Sequence, residues 1–257
     1  MNKYALIGLK LGHSYSKIIH EEIFKLNEIE ASYDLVEIEE DKLDEFFNQF
    51  KNGSYQGINV TIPYKEKVLK YLDFMSDDVK AIGACNTIKN IDGKLYGYNT
   101  DYYGFIKQLE KQNIDVKDKN VYILGSGGAS KALRFALEKL EAKVTIVSRT
   151  KGFNYDDLRK VSHIDLLINT TPVGMYPRED ESPVDMDIVD KTDDVVDIIF
   201  NPWQTKLLKM KNQNNNGIYM LIYQAIKAEE IWQDRDINFD VDEFLWRYFK
   251  WMNLANY

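Results

Sequence analysis

A glycine-rich segment near the middle of the chain has the residue types needed to hold a phosphate group. Residues 122–130 read YILGSGGAS, so a strand-like apolar run ends at Gly125 and a helix-like run follows. Glycines permit a tight turn here and let a diphosphate approach the main chain, while the helix N-terminus supplies N–H groups and about +0.5 of charge. The alternative is a cramped strand-to-helix turn that binds nothing.

The next strand-like run indicates which dinucleotide this turn would bind. Residues 144–147 are followed by Ser148, Arg149 and Thr150. An acidic residue usually holds the ribose hydroxyls of NAD at this place, whereas arginine can receive the 2′-phosphate of NADP. Arg149 therefore favours NADP, although an arginine at a strand end is more often simply a solvated cation.

Strands and helices in alternation would position these residues, and the hydrophobic pattern predicts them. Short apolar runs predict strands at 4–8, 33–36, 57–60, 120–124, 143–147, 166–169 and 195–199. Apolar residues three and four apart predict helices at 16–26, 41–50, 64–71, 101–110 and 131–140, with a short helix at 155–161. The fold class is therefore α/β, with mostly parallel sheets.

The same pattern predicts two lobes. Residues 85–91 and 94–98 flank Asp92-Gly93, which suits a tight hairpin and predicts an antiparallel pair at one edge of the first sheet. A second strand–helix–strand series follows the helix that starts at Asp101. The large apolar residues of 219–232 and 244–251 predict C-terminal helices that return to the first lobe. We therefore expect one domain of residues 1–101 completed by 219–257, and a second of residues 102–218.

Composition limits the possible partners and compartment. A net charge of -8 over 257 residues argues against nucleic acid, which needs basic patches. Cys85 is the single cysteine, so neither an intrachain disulfide nor a cysteine zinc site is expected. The spacing of His13, His20 and His163 predicts no metal site. No apolar run suggests a secretion signal or a membrane span, so we expect a cytoplasmic protein that binds no membrane.

Nine short motifs follow one another along the chain. They are GHSYSKIIH (12–20), GINVTIPYKE (57–66), GACNTI (83–88), YNTDYYG (98–104), GSGGAS (125–130), SRT (148–150), INTTPVGM (168–175), DIIFNPWQTKLL (197–208) and GIYMLIYQA (217–225). In this order they resemble the shikimate dehydrogenase family. The resemblance implies reversible reduction of 3-dehydroshikimate to shikimate by NADPH, a step of aromatic amino acid and chorismate biosynthesis. It also implies a substrate lobe and a Rossmann-type nucleotide lobe with a cleft between them.

The resemblance implies that Lys65 and Asp101 are catalytic. The Lys65 ammonium can polarise a ketone and supply or relay a proton, and the Asp101 carboxylate can orient it and accept a substrate hydroxyl. Without the motifs, Lys65 would be interpreted as a surface helix lysine and Asp101 as a helix N-cap.

Other site residues follow from the same resemblance. The substrate-binding candidates are Ser14, Ser16, Thr61, Asn86 and Gln224. Two of these, Ser14 and Ser16, can offer hydroxyls to a carboxylate near a helix start, or simply cap that helix. The candidates for binding NADP(H) are Gly125, Ser126, Gly127, Gly128, Ala129, Ser148, Arg149, Thr150, Gly217 and Met220.

Departures from the family pattern affect the nucleotide lobe most. Phe153 stands where a second arginine is common, and Lys151 is a weaker substitute because an ammonium lacks the planar fork of arginine. Only fifteen residues separate Arg149 from Asp165, which predicts a trimmed lobe with a smaller sheet. Phe200 replaces a common tyrosine.

Three functions therefore remain open at this point. The leading one is an NADP-dependent shikimate dehydrogenase, with shikimate or 3-dehydroshikimate as its small-molecule partner and a monomer or homodimer as its assembly. The second is a quinate/shikimate dehydrogenase that uses NAD. The third is a non-catalytic shikimate-sensing module, which the retained Lys65 and Asp101 disfavour.

Overall fold

The chain folds into two α/β units. The structure is a computed structural model that describes residues 1–12, 14–150 and 152–253. One unit comprises Met1–Gly104 and Leu221–Asp240; the other comprises Phe105–Met220 together with the final helix. The boundary therefore falls close to the expected position, Asp101. No helix in the described part of the chain is long and apolar enough to span a membrane.

The first unit is built on a six-stranded mixed sheet. Its strands are β1 (Asn2–Gly8), β2 (Ala31–Glu37), β3 (Gly57–Val60), β4 (Phe74–Met75), β5 (Thr87–Ile91) and β6 (Lys94–Tyr98), in the order β2-β1-β3-β5-β6-β4. The pairs β2-β1 and β1-β3 are parallel, while β5 is antiparallel to both β3 and β6. The hairpin at Asp92-Gly93 is confirmed, and both residues have positive φ. It is not at the edge, because β4, which the sequence analysis missed, pairs with β6.

Helices connect these strands and cover the sheet. They are α1 (Ser16–Leu26), α2 (Leu43–Lys51), α3 (Asp77–Ile82) and the start of α4 (Asp101–Lys111), with 3₁₀ turns at Glu40–Lys42 and Lys67–Tyr71. The helix expected at 64–71 is wrong: Lys65 lies in a turn that precedes the 3₁₀ segment. Helix α3 has a clear local cause, since the Ser76 hydroxyl accepts the Val79 N–H at its start and Gly83 ends it in the left-handed conformation.

Helix α9 (Ile218–Gln233) contacts strands of the first sheet through Trp232. The indole Nε1 donates to the carbonyl of Ile88 at 3.1 Å, and its ring stacks on Tyr4 at 4.8 Å. A Cβ at Gly57 would lie 2.3 Å from this indole, so only glycine permits the approach. Residues Leu221–Asp240 thus group with the first unit.

The second unit contains four parallel strands. They are β7 (Asn120–Leu124), β8 (Lys143–Val147), β9 (Ile164–Asn169) and β10 (Thr192–Asp197), in the order β10-β9-β7-β8. The helices are α5 (Gly128–Lys139), α6 (Tyr155–Lys160), α7 (Met186–Val189), α8 (Lys206–Lys211) and α10 (Val241–Asn253). This is a small Rossmann-type sheet, as expected from the short segment after Arg149. Helix α10, however, groups with this unit rather than with the first.

Candidate active site

Candidate residues follow the carboxyl ends of two neighbouring strands of the first sheet. Strands β1 and β3 are parallel neighbours, so the segments that leave their carboxyl ends, at Gly8 and Val60, emerge side by side. The first segment leads to Ser14 and Ser16, and the second to Thr61 and Lys65. Sheet topology therefore starts these two segments next to each other, although they are almost 50 positions apart in the chain.

Lys65 and Asp101 form a close ion pair. Lys65 Nζ lies 2.7 Å from Asp101 Oδ2, and the two side chains are only 15% and 6% exposed. Asp101 is the first residue of α4, and its N–H donates to the Asn99 side chain at 3.1 Å. The backbone of Lys65 is held as well, since its carbonyl accepts the Cys85 N–H at 2.8 Å. The lysine is thus a fixed, mostly buried cation and not a surface lysine.

Asn86 holds the other oxygen of Asp101. Asn86 Nδ2 donates to Asp101 Oδ1 at 2.9 Å, while its own Oδ1 accepts the Thr100 N–H at 2.6 Å. The backbone N–H therefore fixes which end of the amide faces the carboxylate. Both oxygens of Asp101 have donors, and the Lys65 ammonium keeps hydrogens for another acceptor.

Gln224 joins this hydrogen-bonded set from helix α9. Its Oε1 lies 3.4 Å from Asn86 Nδ2 and 3.4 Å from Thr100 Oγ1, and its Nε2 donates to the Leu221 carbonyl at 2.9 Å. Sequence reasoning named Asn86 and Gln224 but missed Thr100, although Thr100 directly precedes Asp101 in one of the quoted motifs.

Ser14 and Ser16 lie on either side of the N-cap of helix α1, and neither is that cap. The N-cap position is Tyr15, which makes no side-chain cap bond, and Ser14 Oγ accepts the Ser16 N–H at 3.2 Å. The loop before them is tied down because the Leu11 N–H donates to Glu37 at 2.7 Å, a bond that lowers the pKa of that carboxyl. The Ser16 hydroxyl therefore lies beside the positive end of α1 without serving as its cap.

The glycine turn of the second unit is formed as the sequence indicated. Gly125 has φ +109°, and a Cβ there would lie 2.7 Å from Thr170 Oγ1. A Cβ on Gly127 would meet nothing within 4 Å, and α5 begins at Gly128. The turn thus leaves open space in front of a helix N-terminus, which fits a dinucleotide diphosphate. Ser126 and Gly127 are exposed, and Ala129 is half-buried.

The residues after β8 fit a phosphate better than a pair of ribose hydroxyls. Ser148 Oγ accepts the Thr150 N–H at 3.3 Å, and Arg149 is exposed between them. Phe153 packs against Tyr122 with ring centroids 5.8 Å apart, and its carbonyl accepts the Ser148 N–H at 3.0 Å. Phe153 is partly buried and packs against the apolar core of this unit. Lys151 lies outside the described residues.

Buried polar contacts shape the loops beside the glycine turn. Asp197 is fully buried and accepts from Asn169 Nδ2, Thr205 Oγ1 and the Ile199 N–H at 2.8 to 3.1 Å. Burial raises the pKa of this carboxyl to about 6, against the lowering effect of those donors. Asn169 in turn accepts from Thr171, so one carboxyl organises the loops that leave β9 and β10.

Gly217 and Met220 lie at the start of α9. A Cβ on Gly217 would come within 2.0 Å of the Ile198 carbonyl, so this close approach requires glycine. The Met220 N–H donates to Gln108 Oε1 at 3.2 Å, and Met220 itself is buried.

Two groups outside these sets have side chains of the types that bind metals or act as nucleophiles. His163 Nε2 lies 3.5 Å from Asp165 and 3.2 Å from Asp193, a grouping that the sequence spacing did not indicate. His163 and Asp193 are exposed, and exposed acidic groups of this kind are common without a metal. Cys85 is fully buried, and burial raises the pKa of its thiol to about 12, so it is no candidate nucleophile.

The fold and these residues define a class of protein. A parallel sheet with a glycine turn at a helix start, in a chain that also holds a buried lysine–carboxylate pair, is typical of a dinucleotide-dependent oxidoreductase. Residues 6–88 match the family model described as shikimate dehydrogenase substrate binding domain.

Comparison with known proteins gives the family. The chain is 45% identical to the shikimate dehydrogenase (NADP(+)) of Clostridium beijerinckii, over 97% of this chain and 98% of that protein. A crystal structure of shikimate dehydrogenase 1 from Peptoclostridium difficile is 39% identical, with a TM-score of 0.90 over 99% of both chains. The Thermus thermophilus shikimate 5-dehydrogenase in complex with NADP(H) and shikimate is 28% identical, with a TM-score of 0.83 over 93% and 95% of the two chains. The chain belongs to the shikimate dehydrogenase family.

Proposed function

We propose that this chain is an NADP-dependent shikimate dehydrogenase, which reversibly reduces 3-dehydroshikimate to shikimate. The observation that carries the proposal is the 2.7 Å contact between Lys65 Nζ and Asp101 Oδ2, with Asn86 donating to the other carboxylate oxygen. The similarity to the shikimate dehydrogenase (NADP(+)) of C. beijerinckii, at 45% identity over nearly the full chain, supports the same reaction.

Lys65 moves the proton in this proposal. During reduction its ammonium donates to the ketone oxygen, polarises the carbonyl and delivers a proton from Nζ as the alkoxide forms. The neutral amine then regains a proton from solvent. In the oxidation direction the amine accepts the hydroxyl proton instead. The Asp101 carboxylate holds Nζ in one position, so the proton transfer needs little reorganisation.

The remaining polar groups would bind the substrate. Asp101, Asn86 and Gln224 form one contiguous polar set, suited to hydroxyls on adjacent carbons of a ring. The Ser14 and Ser16 hydroxyls, next to the start of α1, suit the carboxylate of shikimate. Thr61 adds a hydroxyl from the segment after β3, between these groups in the chain.

The second unit has the residues that would hold NADP(H). The turn from Gly125 to Ala129 would hold the diphosphate, and Ser148, Arg149 and Thr150 would hold the adenosine 2′-phosphate. Gly217 and Met220 are the proposed nicotinamide contacts. When bound, the nicotinamide supplies the hydride. Because Phe153 carries no charge and packs against the core, Arg149 is the cation we assign to the phosphate.

A two-by-two assay tests the proposal. The purified chain is mixed with shikimate or quinate and with NADP or NAD, and absorbance of the reduced nicotinamide is followed. We expect the highest kcat/KM for shikimate with NADP. Equal or better use of quinate with NAD would instead favour the quinate/shikimate alternative. Tight shikimate binding in calorimetry without turnover in any combination would favour a sensing module and contradict the proposal.

The proposal also includes an assembly and a compartment. We infer a monomer or homodimer, which size-exclusion chromatography with light scattering distinguishes. The reaction is assigned to the cytoplasm, where the single thiol of Cys85 stays reduced. Recovery of activity with an exported fraction of cells would contradict that assignment.

A further inference from the structure

A buried row of polar side chains crosses the first sheet behind the lysine–carboxylate pair. Tyr33 on β2 donates its hydroxyl to Asn59 Oδ1 at 2.7 Å, across strand β1. Asn59 on β3 donates through Nδ2 to Thr87 Oγ1 on β5 at 3.1 Å. Thr87 Oγ1 lies 3.2 Å from Asn86 Oδ1 and 3.2 Å from Thr100 Oγ1. All five side chains are at most 4% exposed.

These bonds can all run in one direction. The Tyr33 hydroxyl donates to Asn59, whose amide donates to Thr87, whose own hydrogen is then available for Asn86 or Thr100. Asn86 donates in turn to Asp101 Oδ1. The row starts at a hydroxyl donor and ends at a carboxylate acceptor. In a series of hydrogen bonds of this kind each bond polarises the next. A buried polar group that lost its partner would destabilise the fold, because water cannot reach it to replace the lost bond.

We infer that Tyr33 is a positioning residue for the reaction, acting through Asn59 and Thr87 on Asn86 and so on the Lys65–Asp101 pair. This inference rests on the proposed function. The Tyr33 hydroxyl donates to Asn59, which is not one of the candidate substrate or cofactor residues, so its effect would pass through the hydrogen bonds of the row. Removing its hydroxyl leaves Asn59 Oδ1 without that donor. A flip of the Asn59 amide would lose the bond to the Asn86 carbonyl and would reverse the direction of the bond to Thr87.

The Tyr33 ring is itself held firmly. It stacks on the imidazole of His20 with centroids 4.0 Å apart and planes 8° from parallel. His20 Nδ1 lies 2.6 Å from Glu229 Oε1, and both of these side chains are fully buried. Burial is also the main cause that raises the pKa of the Tyr33 phenol well above its usual value, with the Glu229 charge adding to it. The phenol therefore remains a hydrogen-bond donor at any working pH.

Tyr4 provides a matched control for Tyr33. The two residues are directly opposite each other in the register of β1 and β2, and both are at most 2% exposed. Each phenol makes a hydrogen bond with one amide, but the partner of Tyr4 is Gln233, at 3.2 Å, and not Asn59. Replacing either tyrosine by phenylalanine removes one buried hydroxyl from the same apolar cluster.

The test compares Tyr33→Phe, Tyr4→Phe and the unmodified chain in shikimate oxidation with NADP. We expect Tyr33→Phe to lower kcat about three- to tenfold, the size of one modest hydrogen bond, with the KM for shikimate within about twofold. Tyr4→Phe should keep kcat within about twofold. Thermal unfolding should show both variants folded with similar losses. Equal kcat in the two variants would overturn the inference, whereas no turnover by the unmodified chain would overturn the proposed function.

Thr87→Val provides a second test, because it breaks the same row one residue closer to the pair. Alone it should lower kcat by a similar factor. Combined with Tyr33→Phe it should lower kcat no further than the larger single effect, since a row that is already broken cannot be broken again. Multiplying effects would contradict transmission through Asn59 and Thr87.

Discussion

Replacing Asp197 by asparagine should change how the stability of the chain depends on pH. The carboxyl is fully buried, and burial raises its pKa from 3.8 to about 6. The folded chain therefore binds a proton more readily than the unfolded chain between these values. The contribution of Asp197 to stability is largest below pH 3.8 and falls as pH rises through 6. Over the whole window the loss is about 3 kcal/mol, at 1.36 kcal/mol for each pKa unit.

Urea unfolding of the unmodified chain and Asp197→Asn at pH 4.5 and 7.5 measures this contribution. About 2 kcal/mol of the loss falls between these two pH values. The unmodified chain should therefore lose about 2 kcal/mol more than the variant as the pH is raised. The variant also loses a hydrogen-bond acceptor for Asn169 or Thr205, and the free-energy cost of that loss is the same at both pH values, so it cancels in the comparison. The contributions of the other titrating groups are common to both proteins and cancel as well. A difference below about 0.5 kcal/mol, or one of the opposite sign, would refute the reasoning.

Two further predictions concern the second unit. Arg149→Gln should raise the KM for NADP about tenfold and leave that for NAD nearly unchanged, since only NADP carries the 2′-phosphate; parallel changes for both cofactors would contradict this. Gly125→Ala should lower the free energy of unfolding by about 1–3 kcal/mol, because φ is +109° and its Cβ would lie 2.7 Å from Thr170 Oγ1. Gly127→Ala is the control: its Cβ would meet nothing within 4 Å, so it should lose less stability than Gly125→Ala while the KM for NADP rises.

Local patterns predicted most of the fold. Alternating and continuous apolar runs predicted the observed bounds of β3, β7 and β8. Such strands can be predicted because their hydrophobic pattern lies within a few consecutive residues. Lys65 shows where such reasoning fails. Apolar residues at 64, 68 and 71 have helical spacing, yet Tyr64 and Val68 are buried against the sheet from a turn and a 3₁₀ segment. Spacing indicates which residues share a face but does not determine the backbone that presents them.

The candidate site could be predicted only as far as its motifs extend. Lys65, Asn86, Asp101 and Gln224 came from motif resemblance, and the structure brings all four into one hydrogen-bonded set. The row behind them was missed, because Tyr33 reaches its partner only through the strand order β2-β1-β3. Contacts between strands that are distant in sequence depend on sheet topology, which no local spacing encodes.

The final helix was assigned to the wrong unit for a similar reason. Both C-terminal segments are rich in aromatic residues, and composition alone does not distinguish their partners. Trp232 packs on Tyr4 in the first unit, whereas Phe249 of α10 packs on Trp203 in the second, with centroids 6.2 Å apart.

The most direct test of the account is the turnover of Lys65→Met beside Lys67→Met. Lys67 is a more exposed lysine, paired with Glu40, two positions further along the same segment. With shikimate and NADP, Lys65→Met should lower kcat about 10²- to 10⁴-fold, the usual contribution of general acid–base catalysis, with only a modest change in shikimate affinity. Lys67→Met should turn over normally. Near-normal turnover by Lys65→Met would contradict the assignment of proton transfer to Lys65 Nζ.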